Sequence, residues 1–552
     1  MAQESSFTLC RIGGLDCLRV TDLRAIPDCP DSIGSLLLLS ASGNILTIGP
    51  LYVPGAGVCL HCVRHWIRTA GWERPAAPAP APGALETLDR IAAEAADACQ
   101  RGPAGDLLLC LMEIDLHTGQ RHKHPIVPRA DCPRCSGLRR DRFALSAHCS
   151  PLAGIVSSVT VTGEAFAGSY SAIGSYVAPL PVPGARPLIK AQFAMGKGPT
   201  KQQAIDSCIG EALERYSLIY TGSERLVRAR PGDLPIVDPR EILLVSPRQY
   251  AMRESWNRTH DDRYWIPEPF DGRSELDLMA GLDLVSSETV YVPAACCLMW
   301  YQFRPGERRF ASADTNGCGA GQTPAAATAS ALLELVERDA LAIWWYNRVR
   351  RPSLLLEDLH SDPLARILDA LHRGGRDLYL LDITTDLAIP TYAAISPARD
   401  GAEPLFAAAA HPSPSTAALK AASEAAQLIF SAVHTGGLDA ELQSWLHTAT
   451  LETQAYLAPL GRISAPPEPE PLSDAQIVAF CAGRIAAAGL RAIAVDQSRP
   501  DVLLKTVRAV VPGLRHIWAR FAPGRLYETP ARLGWLSTPL HEEGLNSILC
   551  MI

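Results

Sequence analysis

This chain of 552 residues has no excess of basic charge: 51 Lys plus Arg stand against 58 Asp plus Glu, a formal net charge of −7. No block of basic residues is long enough to track a phosphate backbone, so nucleic acid is not expected as a partner. Long apolar runs are missing as well. The longest run of leucines, Leu36 to Leu39, falls far short of the ~20 residues that cross a bilayer, and no membrane association is expected. The first ten residues, Met1 to Cys10, have neither a basic segment nor an apolar one behind it, so they do not read as a secretion signal. A cytoplasmic location follows. The sixteen cysteines would suggest a disulfide framework in a small secreted protein, but here they read as reduced thiols together with metal ligands.

A chain of this length exceeds one ordinary core, and two or more packed units are expected. Residues 1–146 read as a small first unit of strands and turns. It contains the stiff connector Pro75–Gly83, a helical segment over Ala84–Gln100 and a strand over Leu107–Ile114. Residues 147–552 alternate strand-like runs such as Leu378–Ile383 with alanine-rich helical windows such as Ser415–Gln427, the pattern of an α/β (α+β) domain. After the Pro-rich stretch Ser464–Pro471 comes a tail, 473–552, with a helix at Ser473–Ala488 and strands at Arg491–Val495 and Leu503–Val511, which is expected to pack back onto that domain.

The strongest chemical signal is a pattern that occurs twice. Ser207-Cys-Ile-Gly-Glu211-Ala-Leu-Glu214-Arg215 and Glu334-Leu-Val-Glu337-Arg338-Asp339 both fall in helical windows. Residues three apart share a helix face, so each window presents two carboxylates in one direction. Exposed i,i+4 ion pairs between Glu211 and Arg215, or Glu334 and Arg338, would contribute little. The second window, however, is flanked by Ala325–Leu333 and Ala340–Trp345, apolar nearly all round, which argues for burial. Buried carboxylates need cations. Arginine can neutralise one acid of each pair, and the rest suit hard divalent ions such as Mg²⁺. Gly196-Lys197-Gly198 precedes the first helix and Asn316-Gly-Cys-Gly-Ala-Gly321 the second. Each reads as a glycine turn that offers backbone N–H groups to phosphate. Neither loop is a Walker A sequence or has dinucleotide-fold spacing.

Taken together, Gly-Lys-Gly, Ser-x-x-x-Glu-x-x-Glu-Arg, Asn-Gly-x-x-Ala-Gly and the second Glu-x-x-Glu-Arg resemble the YcaO family. The extension Glu337-Arg-Asp-Ala-x-x-Ile-Trp344-Trp345 is similar to its azoline-forming branch. The resemblance implies an ATP- and Mg²⁺-dependent enzyme that phosphorylates a backbone amide oxygen. Glu211, Glu214, Glu334 and Glu337 would hold Mg²⁺, with Lys197, Ser207, Arg215, Asn316 and Arg338 in or beside the nucleotide shell. Ala417-Ala-Leu-Lys420-Ala-Ala-Ser-Glu424 stands where relatives show Arg-Ala-x-x-Glu, so Lys420 would meet phosphate as a point charge, with Glu424 beside it.

Cys59-Leu-His-Cys62 and Cys132-Pro-Arg-Cys135 are two Cys-x-x-Cys knuckles, which together supply four thiolates for a closed structural Zn²⁺ site. A redox pair or plain burial is the alternative. Their surroundings, Ile48–Gly55, Trp66 and His124-Pro125, resemble the zinc-bearing half of the ThiF-like region fused to azoline-forming YcaO enzymes. Only 58 residues precede Cys59, which implies that a separate protein recognises the leader of the precursor peptide. The activity so implied is cyclodehydration of Cys, Ser or Thr residues of a ribosomal precursor peptide to thiazolines and oxazolines, as in antibiotic biosynthesis. Oxidation to azoles would require another partner, a flavin dehydrogenase, and a homodimer is a further expectation. The proline-rich ending of such relatives is absent, which leaves the role of the tail near Ile552 open. Two other readings remain: a non-catalytic scaffold that docks peptide or partner, and a YcaO enzyme that forms a thioamide or amidine.

Overall fold

In the computed structural model, residues 7–27, 34–71, 77–101, 105–166, 169–179, 192–260, 262–359, 361–434 and 440–550 are described; Ile552 lies outside them. The fold mixes helices and sheets. Residues 7–125 form a six-stranded sheet in the order Phe7–Ile12, Leu15–Val20, Leu36–Ser42, Ile45–Tyr52, Cys110–Asp115, Arg121–Pro125, antiparallel apart from the parallel pairing of Leu15–Val20 with Leu36–Ser42. The leucine run owes its continuity to its place in the centre of that sheet. Leu36 and Leu38 pack on one face with Val63, Trp66 and Ile67 of the helix Leu60–Gly71, while Leu37 and Leu39 pack on the other with Ala84, Leu88 and Ala92 of the helix Ala84–Arg101. With both faces covered, alternation is unnecessary. The strand expected at Leu107–Ile114 is shorter, Cys110–Asp115, because Gly105–Leu108 turns as a 3₁₀ helix.

A three-stranded antiparallel sheet follows, Val156–Phe166, Ser169–Tyr176 and Gln192–Gly198. Two further sheets build the rest. In one, the late strands Ile493–Asp496 and Lys505–Val510 sit between Leu276–Asp283 and Cys318–Gly321, as interior members. In the other, Leu405–Ala410, Thr391–Ser396 and Tyr379–Asp382 are consecutive. No helix among the described residues is long and apolar enough to cross a membrane.

The last segment is held by the second acidic helix, Pro324–Asn347. Asp339 is fully buried, takes hydrogen bonds from Arg525 Nη2 at 2.6 Å and from the Arg515 backbone N–H at 2.9 Å, and shares Arg525 with Asp386. Trp345 Nε1 donates to the carbonyl of Ile548 at 2.8 Å, and Tyr264 Oη to that of Cys550 at 3.2 Å. Removing Asp339 leaves buried Arg525 with Asp386 alone and takes the acceptor from the Arg515 N–H. Asp339→Ala should therefore cost about 3–5 kcal/mol of stability, read from the urea midpoint and from earlier proteolysis of residues 515–550; an unchanged midpoint would refute the clamp.

Candidate active site

Three strand–helix units converge on one cavity. In the first, Gln192–Gly198 leads to Thr200, whose side chain accepts from the Gln203 N–H and caps the helix Lys201–Leu218. In the second, Cys318–Gly321 leads to Thr323, which accepts from Ala326 N–H and caps Pro324–Asn347. In the third, Leu405–Ala410 leads to Ser413, which accepts from Thr416 N–H at the start of Pro414–His434. A glutamate stands eleven residues after each cap: Glu211, Glu334 and Glu424. Three turns of helix carry each acid to equivalent depth. The first two units add a second acid one turn on, Glu214 and Glu337, where the third has Gln427.

The units also lock cyclically. The first helix packs on its own strand and on Cys318–Gly321; the second on its own strand and on Leu405–Ala410; the third on its own strand and on Val156–Phe166 and Ser169–Tyr176. The glycines ahead of the first two helices serve this packing. Gly196, Gly198, Gly319 and Gly321 lie in strands, not in turns that cradle phosphate as expected; only Gly317 sits in a turn, at the start of the second strand. A Cβ at Gly196 would stand 2.1 Å from the Cys208 backbone nitrogen, and one at Gly319 would stand 2.4 Å from the Ala327 carbonyl oxygen. Only a residue without a side chain lets strand and helix approach so closely.

The cavity measures about 560 Å³ and is lined by Lys197, Glu211, Glu214, Arg215, Glu334, Glu337, Arg338, Lys420 and Glu424, together with Thr315, Ser330, His411 and Asp474. Nine of the residues expected from the motifs thus meet in one place. Ser207 does not line it; it is exposed on the first helix. Asn316 is buried in a smaller neighbouring chamber that shares Arg338. Ser330, His411 and Asp474 were missed. Ser330 could have been found, because it precedes Glu334 by four residues as Ser207 precedes Glu211. His411 carries no such signal. Burial first, then Lys420, hold it below the usual imidazole range.

Six carboxylates and four cationic side chains line the cavity, an excess of two negative charges when all are ionised. Arg215 pairs with Glu211 at 2.5 Å, Arg338 with Glu337 at 3.1 Å and Glu334 at 3.6 Å, and Lys197 with Glu424 at 2.8 Å across the first and third units. These pairs do not compensate everything. Burial, then the neighbouring Glu334 and Glu211, push Glu214 up to about 8, and burial pushes Glu337 up to about 8 and Glu334 to about 7. Glu211 is raised as well, mainly by burial. Carboxylates that resist ionisation in the empty protein are what a divalent oxygen-seeking cation would relieve, and Lys197, Lys420 and Arg215 stand on the same walls, within reach of an anion brought in with it.

About the cysteines the geometry is equally compact. The four Sγ atoms of Cys59, Cys62, Cys132 and Cys135 all lie within 4.8 Å of one another, with Cys59 to Cys132 at 3.5 Å and Cys62 to Cys135 at 3.8 Å. Tetrahedral zinc with Zn–S bonds of about 2.3 Å requires sulfurs about 3.8 Å apart. The backbone N–H groups of Cys59 and Arg129 point at Cys135 and Cys62, as they do toward thiolates. The cluster is tied to the acid-lined cavity through one buried acid. His65, on the helix that carries Cys62, lies 2.9 Å from Asp501, which also accepts from Tyr216 Oη at 3.1 Å. Tyr216 directly follows Arg215.

A family described as YcaO cyclodehydratase, ATP- and Mg²⁺-binding, matches residues 195–515. The chain belongs to the YcaO family. Two curated relatives cover much of the same region: an uncharacterized protein of Methanothermobacter thermautotrophicus, 26% identical over 58% of this chain and 80% of its own length, and an uncharacterized protein from the tfuA 3′ region of Rhizobium leguminosarum bv. trifolii, 29% identical over 55% and 76%. Among solved structures, a heterocyclase in complex with substrate and cofactor superposes with a TM-score of 0.82 at 29% identity, over 96% of this chain and 79% of that one. The heterocyclase TruD does so with 0.71 at 29% identity, over 93% and 75%. Coverage of that extent takes in the N-terminal sheet as well as the YcaO region, so the whole described fold is that of a YcaO heterocyclase.

Proposed function

We propose that this YcaO protein is an ATP- and Mg²⁺-dependent cyclodehydratase that converts Cys, Ser or Thr residues of a ribosomal precursor peptide to azolines. The observation that carries the reading is the meeting of Glu211, Glu214, Glu334 and Glu337 with two further acids, Glu424 and Asp474, in one cavity that holds only four cationic side chains. Those four acids are the Mg²⁺ ligands, and Lys197, Arg215, Arg338 and Lys420 neutralise phosphate oxygens. Bound Mg²⁺–ATP supplies the phosphoryl group that turns the amide oxygen into a leaving group. The chain's own residues hold the phosphate chain rigid and keep bulk water off it, so the charge that moves during transfer meets fixed cations. Glu424 positions Lys197 through their ion pair.

Residues 1–146 and 147–552 act in this reading as a zinc-bearing unit and a catalytic unit, with Zn²⁺ held by Cys59, Cys62, Cys132 and Cys135 in a purely structural role. The precursor peptide and a separate leader-binding protein are the partners, a flavin dehydrogenase would oxidise the product, and the reduced thiols fit a cytoplasmic setting. Full-length protein, precursor, leader-binding partner and Mg²⁺–ATP are incubated and the peptide is weighed by mass spectrometry. One water lost per modified residue is expected. A gain of sulfur in place of oxygen would move the reading to thioamide formation, and unchanged peptide with unchanged ATP would sink it.

A further inference from the structure

Behind Arg338 lies a second chamber of about 30 Å³, lined by Asn316, Arg338, Arg508, Arg515 and His516 among others. That is room for one or two waters, or for the oxygens of one small anion. Its walls are more cationic than their partners justify. Arg508 is 5% exposed and is matched by Asp314, whose carbonyl oxygen it meets at 2.5 Å and whose carboxylate it meets at 3.4 Å. Arg515 is 2% exposed and has no ion pair among the described residues; its Nη2 meets only the carbonyls of Arg520 and Ala522.

Two donors on these walls, on Arg515 and His516, are unused, while Arg338 turns its own toward Glu334 and Glu337. Arg515 Nε, His516 Nδ1 and Arg338 Nε and Nη1 are buried without a hydrogen bond. His516 Nδ1 stops 3.7 Å short of Asp314, and Arg338 makes its two ion pairs without well-aligned bonds. Burying a guanidinium without a carboxylate of its own costs several kcal/mol unless something else supplies the negative charge, and Asp339, whose charge reaches Arg515, is already held by Arg525. Burial pushes Arg515 down to about 10, a sign of the same shortfall. Three arginines and a histidine around so small a space fit a tetrahedral oxyanion better than a carboxylate side chain or a water cluster.

We propose that this chamber is a second oxyanion site, for inorganic phosphate, which shares Arg338 with the nucleotide cavity. The choice of phosphate rests on the phosphoryl-transfer reading above: the phosphate released with the azoline needs a place other than the acid-lined cavity still occupied by nucleotide. Asn316, expected beside the nucleotide, belongs to this chamber, with Arg508, Arg515 and His516 as its other ligands.

Equilibrium dialysis of the full chain with labelled phosphate, at saturating Mg²⁺–ADP, tests this without any turnover. One phosphate per chain is expected. Arg515→Met and His516→Gln should each weaken it by about tenfold, the worth of one charge-assisted hydrogen bond, while Lys420→Met, in the nucleotide cavity, should leave it within about twofold. Should Arg515→Met fail to fold, His516→Gln carries the test, since that side chain is partly exposed. No bound phosphate, or a loss caused by Lys420→Met and not by His516→Gln, would overturn the proposal. Mg²⁺–ADP is measured in the same cells: if nucleotide fails to bind, the phosphoryl-transfer reading falls, and phosphate titrated alone still decides the chamber.

Discussion

Glu337→Gln should lower ATP-dependent dehydration by about two to three orders of magnitude while leaving the metal-free protein at least as stable as its parent. The two halves of that expectation have one cause. Glu337 is 13% exposed, is faced by Arg338, Glu424 and Glu334, and titrates near 8. Its ionised form is therefore poorly tolerated until a cation arrives. Glutamine keeps the shape and removes the charge, which relieves the empty site and disables the loaded one. The pH dependence has a definite sign. Glu214, Glu334 and Glu337 are all raised from an ordinary value of 4.5 to between about 7 and about 8. The folded chain then holds their protons more tightly than the unfolded one, so their contribution is favourable below about pH 4.5 and is lost as pH rises toward 8. Thermal melts between pH 5 and 8 should show the metal-free parent losing stability with rising pH, and Glu337→Gln losing less. Mg²⁺–ATP should restore the parent and not the variant. A variant that melts well below the parent without metal, or that retains turnover, would remove Glu337 from the proposed role.

Stripping metal with a strong chelator should unfold the region around the four cysteines and, with it, weaken nucleotide binding. Apparent binding free energies for four-thiolate zinc run to about 10–16 kcal/mol, which exceeds the stability of most domains. Metal analysis should find one zinc per chain, and Cys132→Ser should lower that number together with the melting temperature. The effect on nucleotide follows from Asp501, which joins His65 of the cysteine-bearing helix to Tyr216 of the first acidic helix, and from Arg499, 3.4 Å away, which joins the same carboxylate. Loosening the knuckles releases His65, and with it the buried end of the helix that presents Glu211, Glu214 and Arg215. Nucleotide affinity unchanged after chelation would show that the two regions are independent, and no zinc with freely alkylated Cys59 and Cys132 would dismiss the metal.

Much of the cavity was legible in residue spacing. Glu-x-x-Glu-Arg puts both acids on one helix face whatever surrounds it, and the apolar flanks of the second copy announced burial. Glycine before a helix was ambiguous, because a phosphate turn and a close strand–helix contact both need a missing Cβ; the distances at Gly196 and Gly319 decide for the contact. Lys420 and Glu424 of the third unit were legible, but its kinship with the other two was hidden, because Ala409 in its strand and His411 just beyond stand where the others have glycines, and Gln427 breaks the acidic pair. The constant interval from Ser413 to Glu424 betrays that kinship. Ser207 shares the face of Glu211 but sits nearer the helix start, where the first unit opens to solvent. The course of the last residues rests on contacts with Trp345 and Tyr346, some two hundred positions earlier, and local pattern carries no trace of such pairings.

The ion pair between Lys197 and Glu424 joins residues 227 positions apart, and each acidic helix leans on the strand of the next unit. No early portion of the chain can assemble this pocket during synthesis, since the first unit waits for the third. Closing so long a loop is slow, and the acids repel one another meanwhile. Nucleotide and metal would then be ligands of the finished fold alone, and their presence in the cell would draw a sluggish folding reaction to completion as well as fuel the one that follows.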